Sequence, residues 1–415
     1  MDYLYKRQST GKLMVFLFEG DKARPVKGAT VTITGNNQSI TLQTDESGQT
    51  QTVTLPAIDP YSEYSASVTA EGYAPVNLHG IQVFPNASGI QEIQLTPIRQ
   101  GIYRPTEEYT ISPHNLTTPD PNKETVNPLN IPEPPQTGQT RPNGPPVGLL
   151  IPEYIIVHCG APNDRSAPNH RVKYTDYLTK VASAEIFSNW NKEALIANIL
   201  CINSYALNKI FTQYYEGFDV TCLIQFDQKY DPRQTTYKEI IEVVDTIFNQ
   251  YIKHPDPNLK QPFYAEFRAN PQRRCIFGQN KSQLLALQGK KHLDIIKHFY
   301  EECYRPMAVT STAGVIFQGR PTAPPATILK EGSRGSDVRE IQVFLHQISN
   351  KYPSIPKLQV DGNFQKRTKE AVEAFQKVFF LPQSGEVDFR TWYKISNLYY
   401  SILEYRDIHE SKTYL

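Results

Sequence analysis

The chain has 415 residues, of which 39% are hydrophobic and 20% charged, with a formal net charge of +1. One hydrophobic core stops growing at roughly 250 to 300 residues, so more than one domain is expected. The balanced charge argues against a nucleic-acid partner, and no uncharged apolar run approaches the ~20 residues of a membrane span.

The N-terminal stretch Met1 to Arg7 carries no apolar segment ended by a small-residue cleavage site. Sec-type secretion is therefore not expected, and any export would be non-classical. The five cysteines, Cys159, Cys201, Cys222, Cys275 and Cys303, are odd in number and lack the two-residue spacing of a zinc ribbon or redox pair. They read as mostly reduced thiols, with no metal and no cofactor expected.

Residues 1–98 carry short runs of period two: Leu13, Val15, Leu17; Val31, Ile33; Val53, Leu55; Ala66, Val68, Ala70. Asp45-Glu46-Ser47-Gly48 and Glu71-Gly72-Tyr73 supply turns between them, which predicts an N-terminal antiparallel β-sandwich. Residues 99–152 read as a linker, because the eleven prolines between Pro105 and Pro146 favour extended backbone and cannot bury a core.

Residues 153–318 predict a central α+β domain. It opens on the strand Tyr154 to Val157, followed by two helices that meet at Trp190. On the first, Leu178, Val181 and Glu185 recur at helical spacing, so a carboxylate takes the place of a core side chain. Thr175 or Asp176 is its expected cap, and Asn191 the cap of the second helix, which is apolar nearly all round and hence central. Trp190 reads as a packing post, and His158 and His170 have no assigned role. Strands are expected at 218–222 and 264–267 and helices at 237–251, 282–288 and 293–300. After a short link at 319–327, residues 328–402 predict a C-terminal three-helix domain, with stripes of Val338, Ile341, Leu345 and Val372, Phe375, Phe379. Residues 403–415 form a polar tail.

The motifs Pro25 to Val31 and Thr44 to Thr50 resemble those of transthyretin-like or carboxypeptidase-regulatory-like modules, which implies a binding or spacing role and a possible protein partner. The central stretch resembles the stage II sporulation protein D domain of peptidoglycan lytic transglycosylases. Its carriers are Tyr177-Leu178, Val181 to Glu185, Trp190, Glu193-Ala194-Leu195, Tyr205-Ala206-Leu207, Phe263-Tyr264-Ala265 and Ser282-Gln283. The last domain resembles short three-helix peptidoglycan-binding domains through Gly332 to Val338, Gln342, Val360 to Phe364, Thr368, Phe375-Gln376 and Thr391-Trp392.

The resemblance implies that Glu185 is the catalytic acid and base, cutting glycan strands to leave a 1,6-anhydro end. One carboxyl suffices, because the 6-hydroxyl of muramic acid replaces the water of an ordinary glycosidase. It would have to sit in a partly apolar cleft to stay protonated. Gln225, Gln228 and Tyr230 are candidates to bind the glycan, with Ser282 and Gln283 facing them. The family pattern is altered where Asn203-Ser204 replaces an arginine-containing step and where Gly278 to Gln283 has lost glycines. The expected place is the cell wall or spore envelope. Two other functions fit the same residues: an inactive wall-binding scaffold, and a structural component of a spore layer or exported particle.

Overall fold

A computed structural model describes residues 9–98, 104–117, 149–317 and 320–409. It divides into two compact units, Met1–Ile111 with Thr235–Lys238 and Ala323–Leu415, and Ser112–Gln234 with Glu239–Thr322. The mixed α/β, multidomain character expected from the sequence is present.

The first unit contains β1 (Thr10–Glu19), β2 (Arg24–Pro25), β3 (Thr30–Gly35), β4 (Gln38–Gln43), β5 (Val53–Pro56), β6 (Ser62–Thr69), β7 (Val76–Val83), β8 (Ser88–Gln94) and β9 (Glu107–Thr110), joined by β14 (Thr236–Tyr237). They form two five-stranded sheets. One runs β14-β8-β1-β2 with β5 also on β1, and the other runs β4-β3-β6-β7-β9. The period-two residues do what their spacing predicts: Leu13, Val15 and Leu17 of the first sheet share a buried cluster with Val31, Ile33, Ala66 and Val68 of the second.

Two features depart from the sequence expectation. β1 pairs with β8, and β7 with β9, in parallel. These partners are distant in sequence, so no tight hairpin forces them antiparallel. In addition, β9 lies in the segment assigned to the linker. Pro105 and Pro113 flank this strand without interrupting it, so its ladder donors survive.

The same unit holds α6 (Ser336–Ser349), α7 (Lys366–Val378) and α8 (Phe389–His409). Two buried glutamines organise them in the same way. Gln342 donates to Asp361 Oδ1 at 2.9 Å and Thr368 Oγ1 at 3.2 Å while its Oε1 accepts from Gly362 N at 2.8 Å. Gln376 donates to Glu386 O at 2.9 Å and Thr391 Oγ1 at 3.2 Å and accepts from Gly385 N at 2.9 Å. Each glutamine thus ties its own helix to a glycine turn and to the helix that follows. α8 continues through residues assigned to the tail, where the Tyr405 hydroxyl bonds Glu19, a carboxylate 3% exposed. Gln49 Nε2 reaches Val378 O at 2.8 Å, so strands and helices here are one body.

The second unit contains β10 (Leu150–Pro152), β11 (Tyr154–His158), β12 (Asn169–Lys173), α1 (Tyr174–Glu185), α2 (Lys192–Thr212), β13 (Val220–Thr221), α3 (Lys238–Ile247), β15 (Gln250–Lys253), β16 (Phe267–Arg268), β17 (Phe277–Gly278), α4 (Gln279–Leu287), α5 (His292–Tyr300), β18 (Ala308–Ser311), β19 (Gly314–Phe317) and β20 (Arg320–Thr322). α2 is long and apolar enough to cross a membrane by length and composition, but 83% of its apolar window is buried in the protein, with α1, α4, α5 and β15 packed on it. Asn191 caps it by accepting from Glu193 N at 2.9 Å. The expected cap of α1 is wrong, since Thr175 and Asp176 lie inside its first turn and Lys173 holds the cap position without a side-chain bond. Lys173 instead pairs with Glu153 at 2.6 Å, both nearly fully buried.

The cysteines also need correction, because Cys275 and Cys303 form a disulfide; Cys159, Cys201 and Cys222 remain thiols. Spacing along the chain did not show a pair that only the fold brings together. The bridge closes a separation of 28 residues. Its loss in Cys275→Ser or Cys303→Ser is expected to lower unfolding stability by about 3 to 4 kcal/mol, measured by denaturant titration of the oxidised wild type against each variant.

Candidate active site

α1 ends at Glu185 because Ile186 turns to extended backbone while its N–H still bonds Ala182 O at 3.0 Å. α1 is buried on almost every face, Leu178, Val181 and Glu185 with the rest, and Glu185 is 2% exposed. A carboxylate removed from water needs donors. Glu185 Oε1 accepts from Lys229 N at 2.9 Å, and Oε2 accepts from Asn115 Nδ2 at 2.5 Å and Gln279 Nε2 at 3.4 Å. Among the described residues it has no ion-pair partner.

The donor from residue 229 is placed by a buried network. Asp227 Oδ2 accepts from Thr221 N at 2.7 Å and Tyr215 OH at 3.1 Å, while Oδ1 accepts from Tyr205 OH at 2.9 Å and pairs with Lys209 Nζ at 2.5 Å. Burial pulls the Lys209 pKa down, with Asp227 opposing the shift. Gln279, the first residue of α4, is 1% exposed and also donates to Glu185 O at 3.3 Å. Its Oε1 is buried without a hydrogen-bond partner among the described residues.

The remaining donor comes from a segment in which no site residue was expected. Residues 112–117, within the segment expected to be a linker, lie over Glu185, with Asn115–Thr117 forming a short 3-10 turn. His114 is fully buried, its ring 4.7 Å from Phe187, with Nε2 donating to Ile186 O at 3.3 Å and Nδ1 accepting from Leu116 N at 3.2 Å. The Lys229 ammonium donates to Pro113 O. Burial, aided by Lys229, pushes the His114 pKa down to about 3, so the ring is neutral.

The candidate glycan-binding residues are placed differently from one another. Gln225 is exposed on the 223–226 turn. Gln228 is buried, donating to Ile202 O at 3.1 Å and accepting from Tyr177 OH at 3.0 Å. Tyr230 packs 5.5 Å from the Tyr177 ring. Ser282 donates to Gln279 O at 2.6 Å and accepts from Asn198 at 2.8 Å, and Gln283 accepts from Asn191 N at 2.9 Å. The hydrogen bonds of Gln228, Ser282 and Gln283 thus brace the surroundings of the site and none reaches Glu185. Asn203 spans Tyr174 OH at 2.5 Å and the carbonyls of Phe248 and Gln250 at 2.9 and 2.7 Å, a purely internal brace. Trp190 stands edge-on to Phe187 at 5.8 Å.

Comparison with known proteins gives two family matches. Residues 164–254 match the family described as stage II sporulation protein, and residues 334–395 match a peptidoglycan binding domain. No curated protein matches the chain. Among solved structures, the SleB N-terminal domain is 30% identical over 19% of this chain and 99% of that one, with a TM-score of 0.17. The Bacillus anthracis TIE protein is 21% identical, with 22% of this chain and 17% of that one covered and a TM-score of 0.19. At these scores the likenesses say nothing of what the chain does.

The neutral His114 sets a pH dependence. Its pKa in place is about 3, below the ordinary 6.5, so a released His114 binds the proton more readily than the seated one. Its contribution to seating is complete above 6.5 and is lost progressively as pH falls from 6.5 toward 3. The opening constant read from hydrogen exchange at the Leu116 amide, corrected for intrinsic exchange, should rise about tenfold per unit between about pH 6 and 4, and His114→Asn should flatten that slope.

Proposed function

With a stage II sporulation protein region and a peptidoglycan binding domain in one chain, we propose that it is a cell-wall-acting protein of the wall or spore envelope, a lytic transglycosylase of peptidoglycan glycan strands. Glu185 is its general acid and base, and the helical domain keeps it on its polymer. The observation that carries this is Glu185 itself, a buried carboxyl that, among the described residues, is held by amide donors and has no cation to fix it as a structural ion pair.

In this mechanism Glu185 Oε2 delivers a proton to the glycosidic oxygen as the bond to the anomeric carbon breaks. The carboxylate then takes the proton of the 6-hydroxyl, which attacks the same carbon and closes the 1,6-anhydro ring. No water is consumed, and Glu185 regains the proton that it gave. Lys229 N keeps Oε1 fixed throughout. The unpartnered Gln279 Oε1 is an acceptor for a sugar hydroxyl or acetamido N–H beside the scissile bond.

On this reading the contact from Asn115 makes the described arrangement a latent state. Asn115 occupies Oε2, the oxygen that must hold and pass the proton, so residues 113–117 have to leave before a glycan enters. A second function, the inactive wall-binding scaffold, is favoured by this same contact and by the internal use of Asn203 and Ser282. The N-terminal sheets remain the candidate surface for a protein partner.

Mass spectrometry of purified glycan strands after incubation is the test. Asn115→Ala should release anhydro-muramic ends about ten times faster than wild type, the worth of one hydrogen bond to a charged group. Adding Glu185→Gln to it should cut the rate by roughly 10²- to 10⁴-fold. Sedimentation of both variants with sacculi and no ends from either would establish the scaffold.

A further inference from the structure

β11 and β13 run parallel, with Val157 opposite Val220 and His158 opposite Thr221. The ladder continues one step further, since Cys222 N donates to His158 O at 3.0 Å, and that step sets Cys159 opposite Cys222 on the same face. Both thiols are half-buried, within reach of small molecules. We propose that Cys159 and Cys222 are a reactive dithiol, a modification site at which a small external disulfide is reduced and a second protein disulfide is formed.

Neighbouring parallel strands hold facing residues close to the separation that a disulfide spans. Two further features support the pairing. A proton shared between the two sulfurs would draw the Cys222 pKa below the ordinary thiol value and push that of Cys159 up. A stabilised thiolate beside a protonated partner is the arrangement of an attacking and a resolving cysteine. The backbone around the pair is fixed: Cys159 N donates to Pro168 O at 2.9 Å, and the neighbouring His158 ring stacks on Phe218 at 4.5 Å, with Asn169 Oδ1 2.8 Å from Nδ1.

The chemistry balances as thiol–disulfide exchange. The Cys222 thiolate attacks one sulfur of the external disulfide and expels one thiolate, leaving a mixed disulfide. Cys159 loses its proton, attacks the Cys222 sulfur and expels the second thiolate. Two protein thiols are oxidised, one external disulfide is reduced to two thiols, and the two protons pass to the departing thiolates.

The location gives the bridge a consequence beyond stability. Tyr230 N donates to Cys222 O at 3.3 Å, closing the loop that carries Asp227 and Lys229. A bond from Cys222 to β11 would staple the base of the loop whose amide holds Glu185. This inference does not depend on what Glu185 does.

The experiment uses the full chain equilibrated in mixtures of oxidised and reduced glutathione, followed by alkylation and peptide mass mapping. In reducing buffer Cys222 should alkylate about tenfold faster than Cys159, and the buried Cys201 should stay unmodified. In oxidising buffer a peptide pair joined through Cys159 and Cys222 should appear, and reduced glutathione should reverse it. In Cys159→Ser the mixed disulfide should instead accumulate on Cys222. Equal alkylation rates, or two separately glutathionylated cysteines in the wild type while Cys275–Cys303 stays intact, would overturn the proposal.

Discussion

A carboxylate taken out of water must be met by donors, and the neighbourhood of Glu185 is arranged to satisfy that demand. One donor is a main-chain amide at residue 229, one a side chain at the start of α4, and one a side chain from residues 112–117. Each needs its own support. The loop that presents the first is anchored by Asp227, which in turn is held by Lys209 and two tyrosines in a network dry enough to depress the lysine. The second depends on Ser282, which links α4 to α2 through Asn198. A single buried charge thus sets the requirements for much of the surrounding polar structure.

The first unit solves a related problem with neutral groups. Gln342 and Gln376 each satisfy a turn centred on a positive-φ glycine, Gly362 and Gly385. A side chain at either glycine would be strained by the backbone alone, and at Gly385 it would also meet Lys369 at 2.7 Å. The residues by which the domain resembles peptidoglycan-binding domains are in large part this internal scaffolding.

Periodic features were legible in the sequence and non-local ones were not. The alternation of Leu13, Val15 and Leu17 follows from a spacing of two residues, and the all-round apolarity of α2 and the Asn191 cap follow from local residue types, whereas Glu185 is buried on a helix that is buried almost all round. The parallel pairing of β1 with β8, the Cys275–Cys303 bridge and the placing of Cys159 against Cys222 join residues that nothing local relates. Asn115 and His114 were obscured in another way, because a proline-rich composition describes the average of a stretch and conceals the few residues in it that dock. Gln228 and Ser282 had the right residue types for sugar contacts, but a polar side chain pointing inward serves the core as readily as a ligand.

The segment over Glu185 belongs to the same chain as the site it covers, and that fixes how it competes. A covalently attached occupant has an effective concentration on the order of millimolar, whatever the concentration of the protein. Dilution does not release it, and a soluble fragment present at micromolar levels would rarely displace it. Under the proposed function, a dense, insoluble polymer held by the helical domain would present its strands at comparably high local concentration. Seating of residues 113–117 would then act as a threshold that separates scattered fragments from an intact wall.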